Sequence, residues 1–151
     1  MKNVLMMMAL MMCSGIHSQW VYGEIFNGLG KPSLKRAYNL IDNNEYLTLE
    51  INDTTIKPLI GLGNFYFCGD KILIDFILVV KGVNKPYKVN VIKAKNSKKY
   101  YINNSIWTNE FIADFKLASK CLIKINQGYC IDQDYTFNFS KSAAAYNYMI
   151  K

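Results

Sequence analysis

Histidine is almost missing from this chain: of 151 residues only His17 is one, and it stands in an N-terminal stretch that reads as a leader. Without an imidazole further on, a Ser-His-Asp or Cys-His nucleophile, a His-ligated zinc or copper and a histidine general base are all excluded from the body of the protein. Proline is nearly as scarce, at Pro32, Pro58 and Pro86, and no linker or internal repeat is visible. Acidic residues are outnumbered, 11 against 18 Lys and Arg, for a formal charge of +7. No apolar run approaches the roughly 20 residues that span a bilayer, so no transmembrane helix is expected. Asp132-Gln133-Asp134 lacks the glycine and distal glutamate of a calcium loop. Gly28-Leu29-Gly30 and Gly61-Leu62-Gly63 lack the Gly-Lys-Ser/Thr that opens a phosphate-binding helix. The sequence therefore predicts no metal, no cofactor and no catalytic residue, and a non-enzymatic protein.

What is present begins with Lys2, the apolar stretch Val4 to Met12, and then Ser14, Gly15 and Ser18, the three-part form of a secretory signal peptide. Residues 1–18 are read as that leader, with the mature chain starting near Gln19. The alternative is lipid attachment at Cys13, for which Leu10 is suitably placed. Residues 19–151 then form a β-rich domain of periplasmic or secreted location. Its 51% hydrophobic and 14% aromatic content excludes disorder.

The stretch Thr108 to Phe139 orients the rest. Phe111, Phe115 and Ala118 recur at helical spacing, Thr108 or Asn109 can cap, Glu110 suits the first turn and Lys116 and Lys120 the last, predicting a helix over 109–120 that packs through Phe111, Phe115 and Ala118. Cys121 to Asn126 alternates as a strand, and Tyr135 to Phe139 alternates strictly between aromatic and polar residues. A helix followed by two strands buries its stripe only by covering a sheet. Further strands are predicted at Trp20–Phe26, Tyr46–Ile51, Lys71–Val80, Tyr87–Lys95 and Tyr100–Asn103. Lys35–Ile41 is ambiguous between strand and helix. Another strand falls at either Lys57–Gly61 or Asn64–Cys68, and Gly82–Pro86 reads as a turn. Lys71–Val80 is so apolar that it is either buried on both faces or edged by a helix. About eight or nine short strands make the fold an antiparallel β-sandwich or half-barrel with one packed helix.

Beyond the leader the cysteines are Cys68, Cys121 and Cys130, and an oxidising compartment predicts one disulfide and one free thiol. Cys121 with Cys130 is the pair nearest in sequence. A hairpin matching Ile123 with Phe137 would instead leave Cys130 in the connecting loop. The positive charge concentrates at Lys85, Lys88, Lys93, Lys95, Lys98 and Lys99, in or beside one predicted hairpin. Lys93, Lys95, Lys98, Lys99, Tyr100 and Tyr101 form the candidate partner surface, for an acidic protein or an anionic envelope component. No nucleic-acid module surrounds these residues, so nucleic acid is not expected as a partner.

The order Trp20, Phe65-Tyr66-Phe67-Cys68, Ile74-Asp75-Phe76, Phe111 to Ala118 before Leu122 to Ile125, Gly128, and Tyr135 to Phe139 before Ala143-Ala144-Ala145-Tyr146 resembles a group of small exported bacterial β-rich proteins. More distantly the chain is similar to the invasion-associated locus B proteins and to small periplasmic proteins associated with type VI secretion. The resemblance implies an exported, β-rich protein and carries over no catalytic residue. The leading functional reading is a periplasmic or surface interaction protein. The alternatives are an inhibitor or immunity protein against an envelope-acting enzyme, and a hydrolase working with two carboxylates drawn from Glu24, Glu45, Glu50, Asp70 and Asp75.

Overall fold

The computed structural model describes residues 20–26, 30, 32–41, 44–52, 55–69, 71–95, 98–126 and 132–151. The alternating segments are strands: β1 (Val21–Phe26), β2 (Pro32–Leu40), β3 (Tyr46–Asn52), β4 (Leu59–Gly63), β5 (Lys71–Val80), β6 (Val83–Lys93), β7 (Lys99–Ile102), β8 (Ala118–Ile125) and β9 (Gln133–Asn138). Helix α1 (Asn109–Leu117) lies between β7 and β8, and α2 (Ser142–Ile150) follows β9. All pairings are antiparallel, in one sheet ordered β1-β2-β3-β4-β7-β6-β5-β8-β9. The protein is mainly β, as the sequence predicts.

The sheet curls without closing into a barrel. Its ends approach each other where Asn39 of β2 donates from Nδ2 to the Asn138 carbonyl of β9 at 2.7 Å, and where Trp20 packs on Phe139 at 5.4 Å between ring centroids. The hollow of this half-barrel is the core. Leu47, Leu49, Ile60, Leu62, Phe76, Val91, Ile102 and Phe137 project into it from strand after strand, and α1 fills it with Phe111 and Phe115, both fully buried. Trp107 binds the filling together, 5.2 Å from Phe111, 5.5 Å from Phe115 and 5.3 Å from Tyr146 of α2. The indole N–H of Trp107 donates to the Pro58 carbonyl at 2.6 Å, so burial leaves this donor satisfied.

Several boundaries differ from the sequence reading. Helix α1 stops at Leu117, because Ala118 already has extended geometry (φ −66°, ψ 134°) and starts β8, where it pairs with Val80. Ala118 is buried, but as a strand residue. Lys35–Ile41 resolves to strand, as β2, and of the alternatives Lys57–Gly61 and Asn64–Cys68 the strand falls nearer the first, as β4 (Leu59–Gly63). The β5–β6 turn is Lys81-Gly82, with φ of 51° and 80°, the mirror-image turn whose twist suits a hairpin. Pro86 therefore sits inside β6, opposite Ile77. It is tolerated there because β7 pairs with β6 only from Val91 onward, so no strand awaits its missing N–H. β5 is not buried on both faces; α1 covers its inner side, and its outward residues are half-exposed or exposed.

The β8–β9 register pairs Cys121 with Phe137 and Ile123 with Tyr135, two residues away from the expected match. Cys121 points into the core as a free, fully buried thiol, so the bridge to Cys130, one of the two alternatives that the sequence left open, is not formed. Cys68 is disulfide-bonded. Cys130, like the leader with Cys13 and His17, lies outside the described residues. Among the described residues no helix is long and apolar enough to cross a membrane.

Candidate functional site

On the outer face of the sheet, Glu50 of β3 is buried where a solvent-facing residue would ordinarily be exposed. The cause lies in β4. That strand presents Gly61 and Gly63 to this face, so side chains from β7 reach across it to β3. Tyr101 donates its hydroxyl to Glu50 Oε2 at 3.0 Å, and the Lys99 ammonium binds Oε1. Thr48 donates to Oε1 at 3.3 Å, and Arg36 of β2 forms an ion pair with it, Nε to Oε1 3.4 Å. A methyl group at Gly61 would come within 2.4 Å of Thr48 Oγ1, and one at Gly63 within 1.9 Å of the Tyr46 ring. The two glycines thus make room for the cluster itself.

One carboxylate between two cations leaves the cluster with a surplus positive charge. Lys99 is sandwiched between the rings of Tyr46 and Tyr101, at 5.8 and 5.7 Å. Burial, then the charge and hydrogen bond of Glu50, push the Tyr101 hydroxyl up to about 12. Burial works against the charge on Arg36, but Glu50 and Tyr38 outweigh it and hold its pKa above the usual value. Such an arrangement fixes charges and rings in place on the outer face of the sheet.

The six residues expected to form one partner surface are divided by the strand alternation of β7. Tyr100 turns inward, buried against Phe67 at 4.3 Å, with its hydroxyl on the Gly69 carbonyl. Lys99 and Tyr101 turn outward into the Glu50 cluster. Lys93, Lys95 and Lys98 remain exposed at the end of the β6–β7 hairpin. Lys71 joins them, because it is in register with Ile92. Lys85 and Lys88 do not: they lie back along β6, Lys85 eight residues from Lys93 and so about 26 Å away.

Lys93 and Lys98 stand over a groove of about 390 Å³ whose other walls are Asn64, Phe65, Tyr66, Phe67 and Tyr100. Phe65 and Phe67 stack at 5.9 Å, and Phe65 meets Tyr135 at 4.5 Å, which makes a rigid aromatic floor beneath two cations. A second groove, about 350 Å³, runs between β6 and the start of α1 and is lined by Tyr87, Lys88, Val89, Asn90, Asn103, Ser105, Ile106, Thr108 and Glu110.

The carboxylates considered for catalysis are dispersed. Glu24 accepts from Tyr148 at 3.0 Å on the inner side of β1, Glu50 lies on the outer face, and Asp75 is in register with Lys88 and Lys124. Glu45 precedes β3 and raises the Tyr135 pKa, after burial, by its charge. Asp70 is outside the described residues. Neither groove is lined by two carboxylates.

The Glu50 cluster was missed in the sequence because its side chains come from three strands and cross over a fourth, with Lys99 and Tyr101 separated from Glu50 by 49 and 51 positions. The available signal was Gly61-Leu62-Gly63, two glycines on one face of an otherwise apolar strand. No protein-family model, no curated protein and no solved structure matches this chain.

Proposed function

We propose that the protein is an exported binding protein that engages an acidic partner protein at the free end of the β6–β7 hairpin. The supporting observation is the groove in which Lys93 and Lys98 overhang an aromatic floor, flanked by Lys71 and Lys95. These four lysines form no ion pair among the described residues, so their charge is available to a ligand. Like-charged clustering raises the local potential and speeds encounter with an opposite charge, an effect that salt screens beyond about 8 Å at physiological strength. The buried rings of Phe65, Phe67 and Tyr100 hold the groove in shape, and the exposed ring of Tyr66 supplies aromatic contact area at its wall. Export rests on the leader at residues 1–18, and intact-mass measurement of secreted protein beginning near Gln19 tests it.

The test of binding is a pull-down from envelope extract with mature protein, comparing wild type with a variant in which Lys93, Lys95 and Lys98 are replaced by Ser. Lys99 is left intact because it belongs to the Glu50 cluster. A stoichiometric acidic partner, held by wild type and released both by the substitution and by added salt, is the expected result. Equal capture by both proteins would refute the site. An enzyme as the captured partner, inhibited by the wild type, would specify the inhibitor form of this function.

A further inference from the structure

We infer that the open edge of β6 beside α1 accepts an extended peptide as an added strand. β6 has eleven residues and β7 four, and β7 pairs with β6 only at Val91, Ile92 and Lys93. The last rung between the two chain segments is the Asn103 N–H on the Asn90 carbonyl at 3.1 Å, after which the chain turns off through Asn104–Ile106 into α1. That rung establishes which backbone groups of β6 face outward. Along an antiparallel strand the N–H and C=O of successive residues alternate sides. Lys88, Pro86 and Asn84 therefore direct theirs as Asn90 does, away from β5. Among the described residues no strand meets them there.

From Asn84 to Asn90 this edge is about 20 Å long, room for about six residues of extended chain. It opens onto the groove of about 350 Å³, where Lys88 and Asn90 line the strand side and Ser105, Ile106, Thr108 and Glu110 line the other. A strand edge facing a helix across a groove is the arrangement in which a peptide gains affinity from main-chain hydrogen bonds and specificity from alternate side chains. The inward wall is already fixed: the Tyr87 ring meets Phe111 edge-on at 4.9 Å, and its hydroxyl donates to Asp114 at 2.6 Å. Tyr87, Val89 and Ile106 offer an apolar surface to every second side chain of the guest.

A peptide that takes up the ladder where Asn103 leaves it runs antiparallel to β6, with its amino end at Asn90, in the groove that Glu110 also lines, and its carboxyl end toward Lys81 and the β5–β6 turn. The complementary ligand is an extended segment of a partner protein with aliphatic residues on its inward side, a basic residue first and an acidic residue last. Pro86 contributes a carbonyl but no donor, which limits indiscriminate strand pairing at the same edge. The site is separate from the lysines of the hairpin end, so it stands whatever becomes of them.

The probe is a fluorescein-labelled hexapeptide of alternating threonine and valine, with lysine at the amino end and glutamate at the carboxyl end, titrated by fluorescence anisotropy. Lys88→Pro removes the central outward N–H without breaking a rung to β5, and Pro86 shows that the strand accepts proline on this side. Saturable binding that weakens about tenfold or more in Lys88→Pro and persists in Lys88→Gln is the expected result. Amide hydrogen exchange of the wild-type protein supplies a second measurement that needs no variant: saturating peptide is expected to slow exchange at Lys88. Binding unaffected by Lys88→Pro, no binding at millimolar peptide, or unchanged exchange at Lys88 would each overturn the proposal.

Discussion

The hydroxyl of Tyr101 and the carboxylate of Glu50 meet at 3.0 Å although their strands are not neighbours: β4 lies between β7 and β3, and the bond passes over Gly61. The outer face is thereby tied across three strands by side chains, in addition to the backbone ladder beneath. The ion pairs involved are well shielded, with side-chain exposures of 6% for Glu50 and 12% for Lys99.

Replacing Glu50 by Gln strands the Lys99 ammonium and the Arg36 guanidinium without their anion. A loss of about 3 to 5 kcal/mol is expected, the usual consequence of removing one partner of a buried pair. Chemical denaturation of Glu50→Gln beside the double variant Glu50→Leu/Lys99→Met measures it. The double variant should regain much of the loss, since it leaves a single cation, Arg36, which is partly exposed.

Alkaline pH should destabilise the fold through the same cluster. The Tyr101 pKa is raised from 10.0 to about 12, so the folded state holds its proton more tightly than the unfolded state does. The associated stability is fully present below pH 10 and declines as pH rises toward 12. Tyr148, raised to about 12 by burial and by Glu24, acts in the same window. Denaturant midpoints measured across this range should fall, and Tyr101→Phe should make the fall shallower; an unchanged slope would contradict the assignment.

Gly61→Ala introduces a methyl group 2.4 Å from Thr48 Oγ1 and 3.3 Å from Lys99 and Tyr101 atoms. Overpacking of this kind costs about 1 to 3 kcal/mol. Gly23→Ala is the matched control, because nothing lies within 4 Å of a methyl group there. Thermal melts of the two variants should differ clearly, with Gly61→Ala the lower.

Cys121 should be inert in the native protein. It is fully buried beside Phe137, and burial pushes its thiol pKa well up, which suppresses the reactive thiolate. An aromatic disulfide reagent is expected to modify it only at the rate of unfolding, measured by absorbance with and without denaturant.

Helix α1 was legible because both of its ends are signalled locally. Thr108 caps it, accepting from the Phe111 N–H at 3.1 Å, and Glu110 and Lys116 suit the two poles. Its last turn was overestimated because Ala118-Ser119-Lys120 satisfies helical spacing equally well, and what decides its state is pairing with Val79 and Val80, some forty residues earlier. Helix α2 was not foreseen. Its buried Ser142, Ala145, Tyr146 and Met149 are helically spaced, but Ala143 and Ala144 blur the stripe. Lys141 at its start has φ 68° and makes no capping side-chain bond, so no start signal is written there. The alternating strands were largely readable because their period is local, whereas the Glu50 cluster and the open edge of β6 depend on which strand lies beside which and on where β7 ends.

The bond from Asn39 to the Asn138 carbonyl joins positions 99 residues apart. Closing a loop of that length carries a large entropic penalty before any contact rewards it, and folds dominated by such distant contacts are slow. During synthesis β2 must therefore wait until β9 has been made before the seam can form. Until then Leu47 and Leu49 lack the cover of α2, which packs against β3 and is made later still, so an apolar strand stays open to wrong pairings for that interval.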